Sequence, residues 1–290
     1  RRARGDYHWW RDDLPALAPL RRDFEPGDLA PLLDDHGIQR TVLVQAADST
    51  AETDFMLALA EHHPFIAAVV GWVDLSADSA TARLEDWASR APRLKGIRPM
   101  LQDLPQSDWI EHGPTPRALA ALAALGLRFD ALVKTAHLPS LARFARRHPD
   151  LPIVIDHAAK PPFAAGWKAP EFQAWRSELA ALAAQPRIHC KFSGLLTEMG
   201  EVAGEVKGRA KGEEMGEKKG EEKEQQGSLS VPQALARLRP VWDELLERFG
   251  PGRLMWGSDW PVLNLAADYH VWHTCSEILI GGLSADEQAL

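Results

Sequence analysis

The run Arg253-Leu254-Met255-Trp256-Gly257-Ser258-Asp259-Trp260-Pro261-Val262 is apolar over the length of one strand, then ends in Gly-Ser. It presents a single carboxylate between an aromatic ring and a proline that stops the strand. Asp259 therefore stands at a strand's C-terminal tip. In parallel α/β proteins such tips gather ligands and chemistry, because the loops beyond them vary while the strands below stay packed. A turn or a helix cap explains an isolated Ser-Asp equally well. What gives Asp259 weight is the pattern of the rest of the chain.

Upstream of this strand the same unit recurs. Helices are expected over 29–36, 53–63, 80–90, 117–125, 139–147, 169–184 and 231–249. Each is followed by an apolar strand: 41–45, 67–73, 94–100, 127–133, 151–157, 187–194 and 253–258. Strict alternation demands a parallel sheet, either open and doubly wound or closed into a barrel. An eight-stranded barrel takes about 250 residues, close to what remains of the 290 once a charged insert is set aside. The expected fold is α/β, a TIM-like (β/α)8 barrel that fills residues 1–290 as a single domain. Its first strand is expected upstream of Arg1, and the C-terminal end, just past the helix-start pattern Leu283-Ser284-Ala285-Asp286-Glu287, also reads as missing.

The insert spans 200–227, where Glu, Lys and Gly alternate with almost no aliphatic side chain. It cannot bury enough apolar surface to offset the entropy of ordering, so a disordered loop is expected there. The net charge of −8, without a basic stripe, argues against nucleic acid or an anionic membrane as partner. No apolar segment approaches the roughly 18 to 20 residues of a membrane span, and no signal core follows the basic N-terminus. Cys190 and Cys275 lie far apart without a CxxC pattern, which suits reduced thiols in the cytoplasm. These features point to a soluble, intracellular protein and leave the oligomeric state open.

The polar residues at the expected strand tips are Gln45, Trp72, Arg98, Asp130, His157 with Lys160, Lys191 with Ser193, and Asp259 with Trp260. If the sheet closes, they converge on one mouth. Gln45 and Ser193 read as groups that satisfy the backbone, and Arg98 as either a structural bridge to a carboxylate or a substrate contact. His157 has Asp156 beside it and Lys160 close behind, a cluster that is costly to bury without a use. With Asp259 it can bind a divalent metal or share a proton transfer. His8, within Tyr7-His8-Trp9-Trp10, either lines a pocket or plugs the barrel floor, whereas Trp87, Trp175 and Trp242 fall on helices and are expected to pack.

Several blocks in order resemble one family: Asp6-Tyr7-His8-Trp9, Thr41-Val42-Leu43-Val44-Gln45-Ala46, Gly71-Trp72-Val73-Asp74, Lys95-Gly96-Ile97-Arg98-Pro99, Ile155-Asp156-His157-Ala158-Ala159-Lys160-Pro161, Lys191-Phe192-Ser193-Gly194 and Trp256-Gly257-Ser258-Asp259-Trp260-Pro261. Together they are similar to the amidohydrolase superfamily of TIM-barrel, metal-dependent hydrolases, and most of all to its fuconolactonase-like branch. The resemblance covers nearly the whole chain outside the insert. It implies hydrolysis of a sugar-acid or related lactone, with Asp259 as the group that takes a proton from water. His157 would be a metal ligand or carbonyl-polarising group, and Arg98, Lys160, Lys191, Trp260 and His8 would contact substrate. It also implies one divalent metal such as zinc on His157 and Asp259, although members of this branch differ in whether they use a metal. The family's first-strand His-x-His is expected just before Asp6, where the chain instead has Arg1-Arg2-Ala3-Arg4-Gly5. The alternatives are a metal-dependent decarboxylase of the same superfamily and a truncated, inactive barrel.

Overall fold

The computed structural model describes Tyr7, residues 14–199 and residues 229–289. His8, Trp9 and the insert at 200–227 lie outside the described residues. Seven strands form one sheet: β1 (Thr41–Val44), β2 (Ile66–Gly71), β3 (Leu94–Ile97), β4 (Arg128–Ala131), β5 (Ile153–Ile155), β6 (Ile188–Phe192) and β7 (Leu254–Trp256). Their spatial order is their sequence order, and every neighbouring pair is parallel. A doubly wound sheet would reverse direction at a switch point. This one never reverses, so it curls as a TIM-like half-barrel.

Helices supply the crossovers that parallel strands require. α1 (Pro26–Asp35) leads into β1, and α2 (Thr50–His62) and α3 (Ala80–Arg90) follow β1 and β2. α4 (Trp109–His112) and α5 (Pro116–Ala124) link β3 to β4, then α6 (Leu138–Arg147) and α7 (Pro170–Ala183) follow β4 and β5. α8 (Leu195–Met199) and α9 (Val231–Phe249) lie between β6 and β7, and α10 (Tyr269–Ile280) and α11 (Ala285–Gln288) end the described chain. Local signals set their starts: Ser49 accepts from Glu52 N at α2, and Asp268 accepts from Val271 N at α10. At α5, Thr115 accepts from Ala118 N and Pro116 takes the first turn.

The outward strand face packs on these helices. Phe129 of β4 meets Phe144 of α6 at 5.3 Å between ring centroids, and Phe192 of β6 meets Trp242 of α9 at 5.0 Å. Trp87, Trp175 and Trp242 are buried as expected of helix tryptophans. Cys190 and Cys275 are buried and unpaired. No helix of the described residues is long and apolar enough to cross a membrane.

The inward face follows from register. Val42 pairs with Ala68, Val70 with Gly96, Gly96 with Arg128, Asp130 with Val154, Val154 with His189 and Lys191 with Met255. Because side chains alternate with period two, Val42 and Met255 share the lumen face with Asp130 and Lys191. Yet Val42 is 55% exposed and Met255 38% exposed. They lie on the two edge strands, and among the described residues no strand joins β7 to β1.

Candidate active site

The tips of β3 to β7 bring one cluster together. After β5 the chain turns into Asp156, which is fully buried, and then into four consecutive non-glycine residues with left-handed backbones: His157 (φ 51°), Ala158 (49°), Ala159 (56°) and Lys160 (53°). Such a conformation costs roughly 1–2 kcal/mol per residue, so the surroundings must enforce it. Lys160 N donates to His157 O at 2.8 Å, Trp175 Nε1 of α7 donates to Ala158 O at 2.8 Å, and both alanines are fully buried. This turn ends β5 earlier than the sequence pattern implies.

Asp259 approaches from beyond β7, also with a left-handed backbone (φ 55°). Its Oδ1 lies 3.8 Å from His157 Nε2, with side-chain exposures of 20% and 12%. That distance is too long for a direct hydrogen bond, and it leaves both groups able to engage a third. Burial pushes the His157 pKa down, outweighing the pull of Asp259 and Asp156. Burial thus favours the neutral form of the imidazole.

Residues after β6 complete the cradle. Ser193 Oγ lies 2.9 Å from His157 Nδ1. Gly194 has φ +66°, and a Cβ there would stand 2.5 Å from His157 Nδ1 and 3.1 Å from Asp259 Oδ2. Only glycine lets the backbone pass so close to both groups.

Below this pair lies a charge network. Lys191 Nζ is 2.5 Å from Asp130 Oδ2 and 2.6 Å from Asp156 Oδ1, and Arg98 Nη1 is 3.1 Å from Asp156 Oδ2. Arg98 Nη2 also donates to Gln45 O, while Gln45 Nε2 donates back to Arg98 O at 2.7 Å. Two cations face two carboxylates, so the network is charge-balanced. Burial works to raise Asp156, but Lys191 and Arg98 together overcome it and hold this carboxyl well below the usual range. For Asp130 burial wins: with Lys191 as its nearest cation and Asp156 repelling it, its pKa is pushed up to about 6.

Of the residues expected at the site, His157 and Asp259 are thus side by side. Arg98 and Lys191 are joined through Asp156, the bridge reading of Arg98. Lys160 is 2.9 Å from Glu198 Oε1 on α8. Trp260 is half-buried, edge-on to Phe24 at 5.2 Å between ring centroids. His8 lies outside the described residues. Gln45 satisfies backbone as expected, whereas Ser193 faces an imidazole instead. Sequence marks Asp156 only as a neighbour of His157 and gives no sign of Glu198, because their roles rest on contact with Arg98, Lys191 and Lys160. Among the described residues no group of three His, Cys, Asp or Glu side chains is arranged to hold a metal ion.

This geometry, an acid and an imidazole meeting where the tips of parallel strands converge, accords with the comparison to known proteins, in which the amidohydrolase family model matches residues 2–290. The chain belongs to the amidohydrolase family. This amidohydrolase is 43% identical over 270 residues to an L-fucono-1,5-lactonase of Burkholderia ambifaria, covering 92% of this chain and 80% of the relative. It is 35% identical over 273 residues to an L-fucono-1,5-lactonase of Burkholderia multivorans, covering 90% and 82%. Its fold matches the crystal structure of an amidohydrolase from Burkholderia multivorans with bound zinc at a TM-score of 0.83 and 34% identity, covering 98% of this chain and 90% of that one.

Proposed function

We propose that this amidohydrolase opens the lactone ring of a sugar acid of the L-fucono-1,5-lactone kind, in the cytoplasm. The observation that carries the reading is the 3.8 Å approach of His157 Nε2 to Asp259 Oδ1, with two L-fucono-1,5-lactonases among its relatives. Ring opening needs a nucleophilic water and a partner for the charge that develops on the carbonyl oxygen. Asp259 takes a proton from water as the hydroxyl oxygen bonds to the lactone carbonyl carbon. The neutral His157 donates from Nε2 to the resulting oxyanion. When the ring C–O bond breaks, Asp259 returns the proton to the leaving alkoxide, and the product is the open hydroxy acid.

Lys160 and Trp260 are read as groups that orient the sugar, with Arg98 and Lys191 acting from below through the carboxylates they hold. His8 is read as a further substrate contact. A catalytic zinc takes three protein ligands as a rule. His157 and Asp259 offer two, so the described residues do not fit a zinc site, and the proton path above uses only the chain's own groups. The test is release of acid from L-fucono-1,5-lactone, followed in weak buffer against the spontaneous rate. Turnover well above that rate is expected; acid release no faster than in buffer alone would reject the proposal.

A further inference from the structure

The contact between Ser193 and His157 goes unused in the proton path. It links two separate strand ends, since Ser193 follows β6 and His157 follows β5, and it is a 2.9 Å approach of Oγ to Nδ1 with Ser193 only 2% exposed. The packing around it is tight on both sides. Gly194 lets the backbone pass under the imidazole, and a Cβ on Gly257 would stand 3.1 Å from the Ser193 Cβ. A side chain larger by one carbon at either glycine would displace the hydroxyl or the ring.

A neutral imidazole has one donor nitrogen and one acceptor nitrogen. The two partners here are not equivalent. An ionised carboxylate only accepts, and Asp259 Oδ1 lies on the Nε2 side. A hydroxyl donates or accepts, and the Ser193 hydroxyl lies on the Nδ1 side. The arrangement that turns a donor toward the carboxylate and keeps the 2.9 Å contact has the proton on Nε2 and the serine hydroxyl donating to Nδ1. With the opposite tautomer, two lone pairs would face each other across the 3.8 Å gap.

We infer that Ser193 is a positioning residue whose buried hydroxyl donates to His157 Nδ1 and so fixes the neutral imidazole as the Nε2-protonated tautomer, aimed at the reacting carbonyl. This rests on the reading of His157 as the oxyanion donor. The hydroxyl acts through the ring. Losing it lets the ring rotate and populate both tautomers, which lowers the fraction competent for catalysis without changing substrate contacts.

The test has two arms. In protein labelled with 15N-histidine, with the His157 signals assigned by their loss in His157→Gln, the long-range 1H–15N spectrum of the wild type should show Nε2 protonated and Nδ1 bare near pH 7. In Ser193→Ala the two nitrogens should move toward averaged shifts, and kcat for lactone opening should fall about tenfold with KM changed less than about twofold. A wild-type spectrum with the proton on Nδ1 overturns the inference, and this arm stands even if the alanine variant does not fold. Ser193→Ala with unchanged tautomer and kcat overturns it equally. If the spectra are as expected but the wild type opens no lactone, the functional reading fails and the tautomer assignment survives.

Discussion

The two charged groups at the strand tips are built differently. In the lower one, Arg98, Asp156, Lys191 and Asp130, the carboxylates are almost dry, 0% and 3% exposed, and each is within salt-bridge distance of a cation. In the upper one, His157 and Asp259, the carboxylate is 20% exposed and the pair stops short of a hydrogen bond. A buried network that balances its own charge holds geometry, because every member is already engaged and removal of any one leaves an uncompensated ion. A pair left partly unengaged can still act on a third molecule. The lower cluster is therefore expected to govern stability and the upper one the rate.

Three substitutions break or sharpen that division, and the first is the most damaging to the fold. Lys191→Met leaves Asp130 and Asp156 without their shared ammonium, and it should cost about 3–5 kcal/mol of unfolding free energy in a urea titration. A cost below about 1 kcal/mol would show that the network is not a structural unit.

A smaller effect separates the two carboxylates within the network. Asp130 has its pKa raised by burial to about 6 in the folded protein, above the ordinary 3.8 that it has when unfolded. A carboxyl raised in this way stabilises the fold when protonated, and that contribution is lost as pH rises through about 6. Asp156, held low, contributes in the opposite sense and only in stronger acid. On going from pH 7 to pH 5 the wild type should thus gain about 1 kcal/mol relative to Asp130→Asn, read as the difference between their urea midpoints at the two pH values. Parallel behaviour of the two proteins would place the Asp130 pKa elsewhere.

The alternation of helix and strand could be read from sequence because both periods are local. The helices over 80–90 and 231–249 match α3 and α9 residue for residue. β5 stops short of the expected residue 157 because Asp156 and His157 leave the sheet, and Ala158-Ala159-Lys160 carries no glycine or asparagine to announce a left-handed backbone. Packing against Trp175 sets that turn, and packing is not visible along the chain. The pairing of His157 with Asp259 could be anticipated from strand-tip position alone. The partners of Lys191 and Arg98 could not, since Lys191 reaches Asp130 across 61 positions and Arg98 reaches Asp156 across 58.

The upper pair is tested most directly by Asp259→Asn, measured for both rate and stability. Asn tolerates the left-handed backbone of residue 259, so unfolding free energy should change by no more than about 0.5 kcal/mol. Opening of L-fucono-1,5-lactone should fall about 10³-fold, the scale of a lost general base. A variant that is equally stable and still opens the lactone at the wild-type rate would contradict the assignment of Asp259 as the base.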